Sequence, residues 1–95
     1  MSTTGPDRDD AASREQIFAV VRDAVAMVLE RDPATITWET GFEELQADSL
    51  ALVEVAEIVE ERLAPLARRD VRIPDDDLER VATVGDAVDL ALAQL

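Results

Sequence analysis

Apolar residues that recur every three or four positions constrain this chain more than any other feature of its sequence. In the first such segment they are Ile17, Val20, Val21, Ala24, Val25, Val28 and Leu29. This spacing is typical of a helix that buries one side. Ser13, with Gln16 three positions later, predicts a capping box at its start, and Asp32-Pro33 predicts its end.

A second helix is predicted from Ser49 to Leu63, capped by Asp48 and stopped by Pro65. Its inner face is predicted to contain Leu52, Val55, Ala56, Val59 and Leu63. The connector that follows, residues 64–73, is basic; of two explanations, pairing with nearby carboxylates or recognition of a particular partner, we predict the first. The arginines in and just before it are Arg62, Arg68, Arg69 and Arg72.

Two more helices are predicted near the C-terminus. A short one begins at Ile73-Pro74-Asp75-Asp76-Asp77, where carboxylates suit the positive end of the helix dipole, and continues to about Val81. Thr83, with Asp86 three positions later, caps the last helix. The inner face of that helix is predicted to be Val84, Ala87, Val88, Ala91 and Leu95.

These segments predict an all-α fold, because no segment shows the alternation of a strand. The expected architecture is a four-helix bundle with three longer helices, one short helix and a long loop between the first two. Within that loop, Trp38 is predicted to act as an anchor packed on the bundle. Residues 1–12 are small, polar and acidic and are predicted to be a disordered tail, so the folded domain is residues 13–95.

The residue types that are missing argue against an independent enzyme. The chain has no His, Cys, Lys or Tyr, which leaves few groups for acid–base or covalent catalysis and none for a disulfide or a thiolate metal site. Its net charge of −13 disfavours nucleic acid and anionic membranes and favours basic protein partners. We expect a cytoplasmic monomer without a bound metal, because no targeting or membrane-spanning pattern is apparent.

The stretch Phe42-Glu43-Glu44-Leu45-Gln46-Ala47-Asp48-Ser49-Leu50 joins the long loop to the acidic second helix. With Ile73-Pro74-Asp75 and Thr83-Val84 further on, it resembles the signature of acyl carrier proteins, over about residues 17–92. The resemblance implies a 4′-phosphopantetheine arm on Ser49, taken from coenzyme A. It also implies that Asp48 helps the modifying enzyme to orient its metal and the serine, and that Leu50 packs against the partner or the loop.

The same resemblance implies that the second helix docks on basic patches of partner enzymes. The implied docking residues are Val53, Glu54, Glu57, Glu60 and Glu61. The implied partners are a phosphopantetheinyl transferase and ketosynthases, acyltransferases or other acyl-processing enzymes of fatty-acid or polyketide biosynthesis. Gln46 stands where the family usually has Gly, which predicts that the turn before Asp48 does not require a positive φ.

Two other functions remain open at this point. One is a peptidyl or aryl carrier of a nonribosomal assembly line, and the other is an unmodified acidic helical adaptor. A calcium-binding module, suggested by Asp75-Asp76-Asp77, is excluded because the alternating oxygen ligands and distal Glu of an EF-hand loop are missing.

Overall fold

Four α-helices form the protein in the computed structural model, which describes residues 13–95. Their bounds are α1 Arg14–Leu29, α2 Ser49–Ala67, α3 Asp75–Leu78 and α4 Val84–Ala93. Within residues 13–95 there is no strand, and β pairing is limited to an isolated bridge between Gly41 and Thr83. The predicted all-α class and four-helix arrangement are therefore confirmed. The tail predicted for residues 1–12 lies outside the described residues.

The first helix, α1, packs against both α2 and α4 and so forms the centre of the bundle. The Ser13 hydroxyl accepts a hydrogen bond from the Gln16 N–H, and the Gln16 side chain accepts one from the Ser13 N–H, which is the predicted capping box. The helix ends at Leu29, before the predicted stop, because Glu30 adopts a left-handed φ of 55°. Its buried residues are Ile17, Val21, Ala24, Val25 and Ala26.

The second helix, α2, corrects the prediction that Pro65 ends it. The helix continues to Ala67 with Pro65 inside its last turns. A proline removes one N–H and crowds the preceding turn. Near a helix end that cost is confined to a few hydrogen bonds. The last turn of α2 keeps its capping hydrogen bond, because the Arg68 N–H donates to the Ala64 carbonyl at 2.8 Å. The basic connector predicted at residues 64–73 therefore begins at Arg68.

Both C-terminal helices are shorter than predicted. The third helix ends at Leu78 and not near Val81. The fourth ends at Ala93, which leaves Leu95 exposed and not on the inner face. In both places the next backbone hydrogen bonds join residues three apart, as in tight turns, so the α-helical geometry stops there.

The loop between α1 and α2 is held in place by its apolar side chains. Ile36, Phe42 and Leu45 are buried in the core. Phe42 is the one aromatic residue among the buried core residues of the described range, 13–95. Trp38 stacks on Phe18 of α1 with the ring centroids 4.5 Å apart. The prediction that Trp38 anchors the loop is confirmed.

Backbone hydrogen bonds also join this loop to the start of α4. The Gly85 N–H donates to the Trp38 carbonyl at 2.8 Å, and the Phe42 N–H donates to the Ala82 carbonyl at 2.9 Å. A Cβ atom on Gly85 would lie 3.0 Å from the Trp38 oxygen, so a glycine permits this close approach. These hydrogen bonds therefore fix the position of the loop just before the start of α2.

The cap of α4 makes the stability of the folded protein depend on pH. The Asp86 carboxylate accepts hydrogen bonds from the N–H groups of Ala82 and Thr83, and these bonds lower the pKa of Asp86. Because the pKa is lower in the folded chain than in the unfolded one, the stabilisation is complete above about pH 5 and is lost as the pH falls through the folded-state value. We expect Asp86→Asn to lower the free energy of unfolding at neutral pH by less than about 1 kcal/mol, since solvent screens this exposed group.

Thermal or denaturant unfolding of the two proteins between neutral and strongly acidic pH measures this effect. The curves should converge at low pH, where Asp86 is protonated. Glu43→Gln removes the same charge from an exposed residue of the loop and serves as the control. A constant difference between wild type and Asp86→Asn at every pH would contradict the assignment.

Candidate functional site

The turn that leads into α2 contains a strained residue. The Ala47 N–H donates to the Phe42 carbonyl and the Gln46 N–H to the Glu43 carbonyl, each at 3.0 Å, which is the hydrogen-bond pattern of a Schellman turn. That pattern places Gln46 in the left-handed region, with φ at 61°. The prediction that this turn does not require a positive φ is therefore wrong. The position favours Gly for conformational reasons, and the chain tolerates Gln there at a cost.

We expect Gln46→Gly to raise the free energy of unfolding by about 0.5–1 kcal/mol, because glycine removes the left-handed strain and loses part of that gain to unfolded-state entropy. Urea or thermal unfolding checks the value. Glu43→Gly, in the same turn but without a positive φ, is the control and should destabilise the protein. Stabilisation by both variants, or by neither, would show that the strain at Gln46 is not what limits the turn.

Asp48 and Ser49 have different structural roles at the start of α2. Asp48 is the N-cap, and its carboxylate accepts a hydrogen bond from the Ala51 N–H at 2.8 Å. Ser49 is the first helical residue and is exposed, and its hydroxyl forms no hydrogen bond with any group in residues 13–95. The fold therefore leaves the Ser49 hydroxyl free for chemistry. Leu50, next in the chain, is 66% exposed, so most of its side chain is available to a partner.

The surroundings of Ser49 suit a phosphate attached to its oxygen. Ser49 begins a helix of 19 residues, whose first N–H groups and dipole favour an anion. A cleft opens beside it, lined by Leu52 and Val53 of α2, by Leu78 at the end of α3, and at its edge by the acidic residues Asp75 and Glu79. Its exposed surface is largely apolar. A negatively charged group followed by an apolar or weakly polar arm fits this arrangement.

Only part of this cleft was foreseen. Val53 was predicted as a docking residue, and the structure places it, half-buried, in the cleft wall. Leu78 was not identified as a site residue, although an apolar residue directly after three Asp was the available signal. Its proximity to Ser49 depends on how α3 packs against α2, and periodicity within one helix does not reveal that.

The predicted docking glutamates differ in their environment. Glu54, Glu57 and Glu61 are exposed along α2. Glu60 is half-buried, and its carboxylate accepts a hydrogen bond at 2.6 Å from the N–H of Ile73, in the segment that leads to α3. Glu60 therefore has an internal role that its place in the acidic series did not indicate.

Within residues 13–95 the arginines of the connector form no ion pair with an Asp or Glu side chain, which contradicts that prediction. Arg69 instead donates hydrogen bonds to the backbone carbonyls of Gln94 and Leu95 at the C-terminus. Arg68 adopts a left-handed φ of 60° at the end of α2. In the part of the chain from residue 13 onward, the ion pairs are Arg14–Asp89 and Arg22–Asp23, and neither involves the connector.

Neither a membrane-spanning helix nor a metal-binding cluster is found in the described part of the chain. No helix within residues 13–95 is long and apolar enough to cross a bilayer. In the same residues no group of three His, Cys, Asp or Glu side chains is arranged to hold a metal ion.

Comparison with known proteins identifies the class of site. A family model described as the phosphopantetheine attachment site matches residues 19–91 of the chain. An acyl carrier protein of Exiguobacterium is 40% identical over 77 residues, covering 80% of this chain and 90% of the relative. An acyl carrier protein of Lactobacillus acidophilus is 40% identical over the same length, with 80% and 89% covered.

A further relative is named for a particular pathway. The meromycolate extension acyl carrier protein of Mycolicibacterium smegmatis is 37% identical over 79 residues, covering 82% of this chain and 74% of the relative. The fold, the family match and these relatives define a phosphopantetheine-bearing carrier domain. The chain belongs to the acyl carrier protein family.

Proposed function

We propose that Ser49 bears the 4′-phosphopantetheine arm, and that the protein holds acyl intermediates on it as thioesters and delivers them to enzymes of fatty-acid or polyketide biosynthesis. One observation carries the proposal: the Ser49 hydroxyl is exposed at the start of α2, beside a largely apolar cleft, and forms no hydrogen bond within residues 13–95. The relatives named for meromycolate extension favour a fatty-acyl cargo over a polyketide one.

The chain's own residues have a limited part in the chemistry. Ser49 supplies the oxygen that forms the new bond to phosphorus, while the bond from that phosphorus to the nucleotide part of coenzyme A breaks. With no His, Cys, Lys or Tyr, the chain offers no strong base, so the transferase takes the serine proton. Asp48 fixes the start of the helix by accepting the Ala51 N–H, and the N–H groups of α2 that precede Ala51 would favour the negative charge of a phosphate attached to Ser49. The arm supplies the thiol on which the acyl group is carried.

Loading reactions test the proposal against the other two functions. The chain is incubated with coenzyme A and a phosphopantetheinyl transferase, and its intact mass is measured. An adaptor gains no mass, whereas a carrier gains one arm. The loaded form is then offered an acyl donor with an acyltransferase, and separately an amino or aryl acid with an adenylating enzyme. Acceptance of the amino or aryl acid alone would support the nonribosomal alternative.

We further propose that Glu54, Glu57 and Glu61 form the docking face for basic patches of these enzymes. All three are exposed, and they lie on the helix that begins with Ser49. Exposed charges of this kind mainly raise association rates and are screened over about 10 Å at 0.1 M salt. Glu60 is kept outside this set because its carboxylate already holds Ile73.

We expect the double variant Glu54→Lys, Glu61→Lys to reduce kcat/KM for loading by about tenfold at low salt, because it converts attraction into repulsion. The loss should shrink as salt is added. The double variant Glu39→Lys, Glu43→Lys reverses two exposed charges in the long loop, so it is the control for net charge and should change kcat/KM little. Equal effects from the two variants would indicate that overall charge, and not the docking face, governs the reaction.

A further inference from the structure

A positive charge interrupts the acidic surface of α2. Two shallow grooves lie between α2 and the segment that leads to α3, and Glu57, Glu60 and Arg72 line both of them. The groove nearer Ser49 also includes Val53 and Asp75, and the other includes Glu61 and Asp70. Arg72 therefore lies beside Glu57 and Glu61 of the proposed docking face, although it comes from a different part of the chain.

The position of Arg72 follows from its neighbours in the chain. Val71 and Ile73 are both buried, so the residue between them points to the surface. The Glu60 carboxylate holds the Ile73 N–H at 2.6 Å and fixes this segment against α2. Arg72 is exposed, and within residues 13–95 it forms neither an ion pair nor a hydrogen bond.

The charge pattern of the face is consequently mixed. Glu60, which lies beside this face, is engaged by the Ile73 N–H, and the groove that Glu60 shares with Glu57 and Asp75 also presents Arg72. A uniformly basic partner would meet a like charge here, and such contacts are unfavourable at interfaces. A partner with a carboxylate opposite Arg72, set among basic residues for Glu54 and Glu57, would match the pattern.

We propose that Arg72 is a specificity determinant of the docking face, selecting partner proteins that place an Asp or Glu within their basic patch and disfavouring those whose patch is basic throughout. The proposal rests on the docking role of α2 proposed above. It concerns the choice among partners, whereas the glutamates provide the general attraction.

The test uses the full chain and a phosphopantetheinyl transferase whose carrier-binding surface is basic. We expect Arg72→Glu to raise kcat/KM for loading by about three- to tenfold at low salt, because it removes a repulsive contact. Arg80→Glu makes the same change of net charge at an exposed residue outside both grooves, and it should change kcat/KM less than about twofold. Circular dichroism of each variant checks that the fold is retained.

A charge-swap experiment identifies the contact itself. Each Arg or Lys on the carrier-binding surface of the transferase is replaced in turn by Asp and combined with wild type and with Arg72→Glu. At one position or more, the Asp variant should load the wild-type carrier faster than the unchanged transferase does, and should load Arg72→Glu more slowly. Such a crossed preference is the signature of a specific pair.

The outcomes separate this proposal from the docking proposal. If Glu54→Lys, Glu61→Lys slows loading while Arg72→Glu behaves like Arg80→Glu and no crossed preference appears, the role of Arg72 is wrong and the docking face stands. If neither the glutamate reversals nor Arg72→Glu alters loading beyond their controls, both proposals are overturned.

Discussion

Replacement of Ser49 by alanine is expected to abolish loading of the phosphopantetheine arm while leaving the fold intact. The hydroxyl supplies the oxygen of the new bond, so its loss should be complete and not partial. Stability should change little, because the cap of α2 is Asp48 and the Ser49 hydroxyl holds no other group in residues 13–95. Alanine also has a high helix propensity. Intact mass after incubation with coenzyme A and a transferase, together with thermal unfolding, measures both properties.

Ser13→Ala is a matched control for this experiment. Ser13 also stands at a helix start, but there it is the cap itself. The control should load fully and lose about 1 kcal/mol of stability, which is the reverse of the result expected for Ser49→Ala. Any mass gain by Ser49→Ala would overturn the assignment of the attachment site.

The second large effect concerns the acyl chain, which we expect to be sheltered in the cleft beside Ser49. The cleft is lined by Leu52, Val53 and Leu78, and the core beneath it is mostly aliphatic. Each methylene removed from water contributes about 0.8 kcal/mol, which can offset the cost of opening the packing between α2 and α3. The melting temperature should therefore rise from the form with a bare phosphopantetheine arm to the butyryl, hexanoyl and octanoyl forms. The total rise is expected to be roughly several degrees.

A filling substitution shows whether the cleft itself is responsible. Val53→Trp places a large ring in the cleft and should flatten the dependence on chain length. Leu90→Trp enlarges a half-buried residue in a separate surface groove, so it should leave the dependence unchanged. Equal melting temperatures for all acyl forms of the wild type would exclude sheltering without affecting the role of Ser49.

The existence and type of the helices could be predicted because each signal is local. Caps such as Ser13 and Thr83 and an apolar residue every third or fourth position are sufficient for that purpose. The errors fall where a local rule competes with its surroundings. Pro65 is tolerated because the helix is nearly complete there, and Gln46 accepts left-handed strain because the turn around it is fixed by its hydrogen bonds.

The candidate site was predictable in its chemistry and not in its geometry. Asp48-Ser49 is a contiguous motif, so its place at the start of α2 follows from the sequence. The contact between Glu60 and the Ile73 N–H joins residues 13 positions apart, and no helical periodicity encodes it. The presence of Arg72 on the α2 surface is a consequence of that contact and of the buried residues on either side of it.

The stack that anchors the long loop gives the protein an optical probe of its own. Trp38 is the only Trp and the chain has no Tyr, so near-ultraviolet emission comes essentially from one indole. Phe18 stacks on that ring, and the Arg14 guanidinium carbon lies 4.8 Å from its centroid. Emission therefore reports whether the loop lies against α1, and a shift to longer wavelength marks its release into water. Loop attachment can be followed in this way, without a label, in the unloaded, loaded and enzyme-bound states.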